Sequence, residues 1–199
     1  YKKEFVIKVV NNIKLDETES EIKTLIKLDH PNIISIYEYF TDEEYIYIVL
    51  EYCPGGSMET YIKRNGILPK PILYQVCAHL LSALQLCHSL HIAHRDIKPA
   101  NILIDQYGRP KLADFGLSTE FVDGESTNNF GGSRLYMAPE IIQKKAYDAF
   151  KADVWALGVS FYQMAVGVTP WPLENLNELE WYLSQMRIWT LNSSKLLKQ

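Results

Sequence analysis

The chain has 199 residues, which is enough for one sizeable domain or for two small lobes that share a cleft. Its 20 Lys and Arg residues and 24 Asp and Glu residues give a formal net charge of −4, so there is no broad basic field. We therefore expect neither nucleic acid nor a membrane as a partner. Hydrophobic residues make up 47% of the chain and charged residues 22%, which excludes general disorder.

The cysteines indicate the cellular compartment. Cys53, Cys77 and Cys87 are odd in number and form no C-x-x-C pair, so neither a disulfide framework nor a zinc site is predicted. No uncharged apolar run approaches the ~18 residues of a membrane span, and the apolar stretch near the N-terminus is too short for a secretory signal. We predict a cytoplasmic protein, with the nucleus as the alternative. Because the chain opens with Tyr1 and runs directly into a strand-like segment, we expect it to be a fragment.

The first fifty residues have a β-α-β-β pattern. Phe5 to Val10 is rich in β-branched side chains and predicts a buried strand. The pattern from Asp16 to Glu19 resembles a capping box, and the helix that follows ends at His30-Pro31. Residues 33–40 and 45–50 flank a turn and predict two further strands.

The sequence pattern changes from strand-like to helical at Pro54-Gly55-Gly56, and this change marks the boundary between two lobes. We predict a first lobe with its hinge over residues 1–53 and a second lobe over residues 54–199. Two short apolar runs, 102–104 and 111–113, flank a turn and predict a hairpin. A polar loop around Gly131-Gly132 is long enough to be functional. Helical patterns cover residues 58–65, 69–90, 152–166 and 176–188.

A loop of polar residues precedes the predicted hairpin. It reads His94-Arg95-Asp96-Ile97-Lys98-Pro99-Ala100-Asn101, and such a loop can aim Asp96, Lys98 and Asn101 into one cleft. The hairpin then returns the chain, so that Asp114, which opens the triplet Asp-Phe-Gly, lies beside Asn101. Two hard oxygen ligands together with substrate phosphates suit Mg²⁺.

These motifs resemble the signature of eukaryotic Ser/Thr protein kinases. The segment 94–101, the triplet 114–116 and Ala138-Pro139-Glu140 occur in the order that this family requires, and Asp153-Val154-Trp155 follows them. The resemblance implies an α+β, bilobal protein-kinase-like fold, with a small β-rich N-lobe, incomplete here, and a larger helical C-lobe. It also implies ATP and Mg²⁺ as cofactors and a protein substrate with Ser or Thr as the partner.

The resemblance assigns a role to each polar residue of the predicted cleft. Asp96 would accept or orient the proton of the substrate hydroxyl, and Lys98 would neutralise the transferring phosphoryl group. Asn101 and Asp114 would hold Mg²⁺. Lys98, together with Ser133 ahead of the Ala-Pro-Glu triplet, implies Ser/Thr rather than Tyr substrates.

Phe5-Val6-Ile7-Lys8 resembles the family's strand whose Lys binds the α- and β-phosphates of ATP. A buried Lys needs a counter-ion, and the resemblance of the following helix to the family's αC helix nominates Glu21. The spacing of thirteen residues between Lys8 and Glu21 is shorter than the family usually shows. Lys3, at eighteen residues, is the alternative cation but fits the strand motif poorly. A strand-end Lys8 beside a solvated Glu21 is the alternative without a functional role.

Residues 45–53 resemble the fifth strand and hinge of a kinase. Glu51 and Cys53 would then offer backbone groups to adenine, and Cys53 as a reactive thiol is the alternative interpretation. His79, His88 and His91 are interpreted as structural or solvated residues.

The stretch between the Asp-Phe-Gly and Ala-Pro-Glu triplets, which corresponds to the family's activation segment, adds a finer resemblance. Residues 115–118 and 123–125 resemble the calmodulin-dependent and AMP-activated kinase group. Arg95 is the residue that pairs with a loop phosphate in the family, but the usual phosphosite falls near Asn129. Activation is therefore predicted to be either constitutive or shifted to Ser126 or Thr127.

Two family features are missing, so we expect truncation at both ends. The few residues before Lys8 contain no glycine-rich loop, and the family's terminal helices, which carry the partner of Glu140, do not follow. A weakened ATP site is the expected consequence. A catalytically impaired, pseudokinase-like binding module or a kinase fragment therefore remains an alternative to an active enzyme, and a small-molecule kinase is disfavoured by the Ala-Pro-Glu segment.

Overall fold

The computed structural model describes residues 3–122 and 124–171. The chain begins with an antiparallel sheet of three strands in the spatial order β1-β3-β2, and one helix packs against it. These elements are β1 (Phe5–Asn11), α1 (Leu15–Lys27), β2 (Ile36–Thr41) and β3 (Tyr45–Glu51). Ile22 of α1 packs on Ile46 and Ile48 of β3 and forms a small core between the helix and the sheet.

Helix α1 does not begin at the predicted capping box. A 3₁₀ turn, Asn12–Lys14, leads directly into it, and the side chain of Asn11 caps that turn by accepting a hydrogen bond from the backbone N–H of Ile13 at 2.9 Å. The capping role predicted for Asp16 and Glu19 is therefore wrong. Asp16 lies in the first turn of α1, where a negative charge interacts favourably with the helix dipole.

The strand predicted from Ile33 begins at Ile36 instead. The backbone N–H of Ile34 donates to the carbonyl of Leu112 at 2.9 Å, and the N–H of Leu112 donates to the carbonyl of Asn32 at 2.8 Å. Ile33 and Ile34 are buried in the main core. The first part of the apolar run thus contacts the second half of the chain, and only the later part forms a strand. Hydrophobicity alone does not distinguish these two parts.

The rest of the described chain is mainly helical. Its helices are α2 (Met58–Asn65), α3 (Lys70–Ser89), α4 (Pro139–Ile142) and α5 (Ala149–Val166). Two short antiparallel pairs accompany them: β4 (Ile92–Ala93) with β7 (Thr119–Glu120), and β5 (Ile102–Ile104) with β6 (Pro110–Leu112). The predicted hairpin and the helices at 58–65 and 69–90 are confirmed, and α5 begins three residues earlier than predicted. The helix predicted at 176–188 lies outside the described residues.

The architecture is α+β, with a β-rich N-terminal part and a helical remainder, as predicted. Leu80, Ile102 and Met164 are fully buried in the core that joins α3, β5 and α5. The backbone N–H of Gly55 donates to the carbonyl of Ile104 at 3.0 Å, and a Cβ at Gly55 would lie 2.7 Å from the Ile104 side chain, so this close approach requires glycine. The lobe boundary between residues 53 and 54 stays a prediction. No helix in the described ranges is both long and apolar enough to cross a membrane.

Candidate active site

One buried carboxylate on α5 holds the polar loop of residues 94–101. Asp153 is 1% exposed and accepts hydrogen bonds at 2.8 Å from the backbone N–H groups of both His94 and Arg95. The Nε2 atom of His88 on α3 lies 3.0 Å from the same carboxylate. Arg95 has φ of 69°, which non-glycine residues rarely adopt, so these bonds hold the loop in a strained conformation.

His94 joins this loop to the chain just after β6. Its Nδ1 accepts the backbone N–H of Asp96 at 3.2 Å, its Nε2 lies 3.1 Å from the carbonyl of Ala113, and its ring packs on Phe115 with centroids 4.6 Å apart. Complete burial lowers the pKa of His94 below its ordinary value, despite the nearby carboxylates. A neutral ring with its proton on Nε2 satisfies both contacts at once.

Donors from two segments surround the carboxylate of Asp96. Lys98 Nζ lies 2.6 Å from Asp96 Oδ2 and also donates to Ser133 Oγ at 2.7 Å. The backbone N–H of Ser133 donates to Asp96 Oδ1 at 2.9 Å, and Asn101 Nδ2 donates to Oδ2 at 3.0 Å. The structure therefore brings together the three residues predicted to be catalytic and fixes the orientation of Asp96.

Asn101 and Asp114 line one cavity of about 570 Å³. The amide nitrogen of Asn101 donates to the backbone carbonyl of Asp96 at 2.9 Å as well as to its side chain, which leaves the amide oxygen for a further partner. Asp114 has φ of 63°, and its side chain is 52% exposed. These hard oxygen donors fit Mg²⁺ completed by substrate phosphates.

Lys8 and Glu21 line the same cavity as a bonded pair. Lys8 Nζ lies 2.7 Å and 2.8 Å from the two carboxylate oxygens of Glu21, and 3.8 Å from Asp114 Oδ1. The short spacing in sequence suffices because a three-residue turn joins β1 directly to α1. Lys3, the alternative cation, lies over the Tyr37 ring at 4.1 Å from its centroid.

The predicted hinge residues Glu51 and Cys53 also line this cavity. The carboxylate of Glu51 is bonded to Lys111 Nζ at 2.7 Å, so it is already engaged. Burial raises the pKa of the Cys53 thiol to about 11. Neither side chain is therefore a free reactive group, and the predicted role of the backbone of these residues stays a prediction.

A sequence model of the protein kinase domain matches residues 1–197. The chain belongs to the protein kinase family. It is 38% identical over 160 residues to Sperm motility kinase 2B of Mus musculus, covering 80% of this chain and 33% of that protein. It is 37% identical over 175 residues to Serine/threonine-protein kinase ULK3 of Xenopus laevis, covering 87% of this chain and 37% of that protein. The chain thus spans about a third of the length of these curated relatives.

The activation segment of this kinase domain docks on the guanidinium group of Arg95. Arg95 donates through Nη1 to Thr119 Oγ1 at 3.1 Å and through Nη2 to the backbone carbonyl of Asn129. The hydroxyl of Tyr147 donates to the same carbonyl at 2.8 Å. A Cβ at Gly132 would lie 2.5 Å from the carbonyl of Arg95, so only glycine allows the segment to pass this close.

The two predicted alternative phosphosites lie in different surroundings. Thr127 is half-buried and exchanges backbone hydrogen bonds of 2.9 Å and 3.1 Å with Tyr147, while its hydroxyl accepts the N–H of Asn129 at 3.0 Å. Ser126 is exposed. The location of any phosphosite in this kinase domain stays a prediction.

Three residues around the kinase site carry no role in the sequence-based prediction. Asp153 anchors the loop of residues 94–101, and the sequence marks it as a single carboxylate inside an apolar helix. His88, interpreted as structural or solvated, contacts that carboxylate. Lys111 pairs with Glu51, and its signal was a cation within a short apolar strand.

Proposed function

We propose that this kinase domain is a serine/threonine protein kinase that transfers the γ-phosphate of ATP to Ser and Thr hydroxyls of protein substrates. The observation that carries the proposal is the convergence of Lys98 and Asn101 on the carboxylate of Asp96, next to the cavity lined by Lys8 and Asp114. Phosphoryl transfer needs alignment and charge neutralisation more than covalent help, and these residues supply both.

Each residue of the cavity has a proposed role toward one part of the ATP molecule. The backbone of Glu51 and Cys53 contacts adenine, and Lys8, held by Glu21, binds the α- and β-phosphates. Asn101 and Asp114 would hold Mg²⁺, which would neutralise charge on the phosphates. These ligands share one cavity with Lys8.

The transfer step centres on Asp96. A bond forms between the substrate hydroxyl oxygen and the γ-phosphorus, the bond from that phosphorus to the β,γ-bridging oxygen breaks, and the hydroxyl proton passes to the Asp96 carboxylate. Lys98 Nζ, which is 2.6 Å from Asp96, stabilises the transferring group. ADP leaves with the bridging oxygen.

Finer features of the proposal rest on particular residues. Ser/Thr specificity is supported by the bond from Lys98 to Ser133 and by the similarity to Serine/threonine-protein kinase ULK3 of Xenopus laevis. Membership of the calmodulin-dependent or AMP-activated group rests on the resemblance of residues 115–118 and 123–125 alone. A cytoplasmic or nuclear location is supported by the free state of Cys53, Cys77 and Cys87.

Two measurements on the 199-residue chain test the proposal. Mg²⁺ with ATP should raise the melting temperature, and Asp114→Asn should abolish the Mg²⁺-dependent part of that rise. Asp96→Asn should retain the rise while phosphate transfer to a Ser/Thr-rich protein falls by roughly 100-fold or more. If the chain is folded and its melting temperature does not change on addition of Mg²⁺ and ATP, the proposal is overturned. A shift without transfer would favour the impaired binding module instead.

A further inference from the structure

Lys111 is a buried cation outside the residues that contact the proposed substrate. It lies on β6, and its side chain is 6% exposed. Its ammonium group is 2.7 Å from Glu51 Oε2, and the Glu51 side chain is 17% exposed. A buried charge is costly unless it is paired, so these two groups depend on each other.

Glu51 is the last residue of β3 and occupies the start of the proposed hinge. Its carboxylate also accepts the backbone N–H of Ser35 at 3.3 Å, and its own N–H donates to the carbonyl of Ser35 at 2.9 Å. Lys111 therefore holds a residue whose side chain and backbone are both bonded to Ser35, in the chain that enters β2. Cys53, whose backbone would contact adenine, is two residues further along.

Lys111, the cation of this ion pair, lies close to the proposed metal ligands Asn101 and Asp114. Lys111 pairs with Leu103 across the β5–β6 hairpin and precedes Asp114 by three residues. Between them, the backbone N–H of Ala113 donates to the carbonyl of Asn101 at 2.9 Å. The ion pair between Lys111 and Glu51 thus connects the proposed hinge to the segment that carries both proposed Mg²⁺ ligands, in addition to the backbone bond from Gly55 to Ile104.

We infer that Lys111 is a positioning residue for the nucleotide. Through Glu51 it holds the hinge backbone, which would contact adenine, in place against the β5–β6 hairpin that leads to Asp114. The inference rests on the proposed function, because it assumes that this cavity holds ATP. Lys111 itself does not line the cavity. Its effect is therefore on the affinity for the nucleotide rather than on the rate of phosphate transfer.

The test compares Lys111→Met with Lys145→Met, an exposed lysine on the same chain. Dissociation constants for ATP with Mg²⁺ and for adenosine alone are measured by calorimetry, and KM and kcat by phosphate transfer. We expect Lys111→Met to raise the dissociation constant and KM for ATP by roughly 10-fold while kcat changes by less than about 2-fold. Adenosine binding should weaken in parallel, and Lys145→Met should match the parent chain.

A second variant covers the possibility that Lys111→Met fails to fold. The double change Lys111→Met with Glu51→Met removes both charges and leaves no unpaired ion in the interior, so it should fold. It should still bind ATP and adenosine about 10-fold more weakly than the parent chain, because the hinge is no longer held.

The outcomes separate the two proposals. Unchanged affinity for ATP in the folded variants overturns the inference while leaving the proposed function intact. A fall in kcat by the same factor as the rise in KM has the same consequence. A parent chain that binds no nucleotide overturns both together.

Discussion

Lys8 on β1 and Glu21 on α1 form a two-pronged ion pair, with the Lys8 ammonium 2.7 Å and 2.8 Å from the two carboxylate oxygens. Glu21 is buried, so the pair joins the helix to the sheet at the edge of the cavity proposed to hold ATP. Asp114 lies 3.8 Å from the same ammonium. Protein kinases need both this type of pair and the Asp-Phe-Gly carboxylate in place, and this conformation supplies both.

Replacing Lys8 with Met should abolish most of the activity. The substitution removes the proposed phosphate-binding charge and leaves Glu21 buried without its counter-ion, so we expect kcat/KM to fall by roughly 100-fold or more. Steady-state phosphate transfer measures the effect. Lys3→Met is the matched control, because Lys3 lies over Tyr37 instead and should leave kcat/KM within about 2-fold. Equal losses in the two variants would contradict the assignment of Lys8.

Activity should not require phosphorylation of the activation segment. The Arg95 guanidinium already donates to the carbonyl of Asn129 and to Thr119, so the segment is docked through uncharged acceptors and needs no phosphate. Treatment with a broad-specificity phosphatase should leave phosphate transfer within about 2-fold of the untreated value. A loss beyond about 10-fold, with phosphate mapped to Ser126 or Thr127 beforehand, would support the shifted-site alternative.

The catalytic loop and the Asp-Phe-Gly triplet were predictable because their residues are close in sequence and carry polar groups that a core does not need. Asp96, Lys98 and Asn101 lie within six residues, and a hairpin fixes where Asp114 returns. The contacts that hold these groups were not predictable, because they join distant segments. Asp153 reaches back 59 residues to His94, and the hydrophobic pattern of α5 specifies only that such a side chain is buried.

Local conformation was harder to predict where two signals competed. Asn11 caps the turn before α1, although a more familiar pattern lay at Asp16. Ile33 and Ile34 are as apolar as the strand that follows, yet they pack in the main core because their backbone bonds go to Leu112 and His30 rather than to the sheet. A local side-chain contact, from Asn11 to Ile13, decided the first case, and the tertiary contact with Leu112 decided the second.

Stability should fall as the pH drops below neutrality. Burial lowers the pKa of His94 below the ordinary value of 6.5, so below that pH the unfolded chain binds more protons than the folded chain. His30, whose pKa is also lowered by burial, contributes with the same sign. The contribution of these residues is fully present above pH 6.5 and is lost as the pH falls from there towards the lowered folded-state pKa values.

Melting temperatures at pH 7.5, 6.5 and 5.5 measure this dependence, and His94→Gln should flatten it because Gln does not titrate. His30→Gln serves as the comparison and separates the two contributions. Nuclear magnetic resonance of the imidazole rings gives a direct reading. A His94 ring that titrated at or above its ordinary pKa would contradict the assignment of a neutral, buried ring.

The thiols should resist modification even though Cys53 lines the cavity proposed to hold ATP. Burial raises the pKa of Cys53 to about 11 and that of Cys87 to about 12, so almost no thiolate exists at pH 7.5. Cys77 is half-buried, and its pKa is also raised by burial, but it is the most accessible of the three.

Iodoacetamide at pH 7.5, followed by peptide mass spectrometry, should modify Cys77 first and slowly, with Cys53 and Cys87 alkylated only after unfolding. Addition of ATP should leave the pattern unchanged. Rapid labelling of Cys53 that ATP blocked would instead establish the reactive-thiol interpretation of the hinge, because a nucleotide in the cavity would then be shielding a thiolate at its wall.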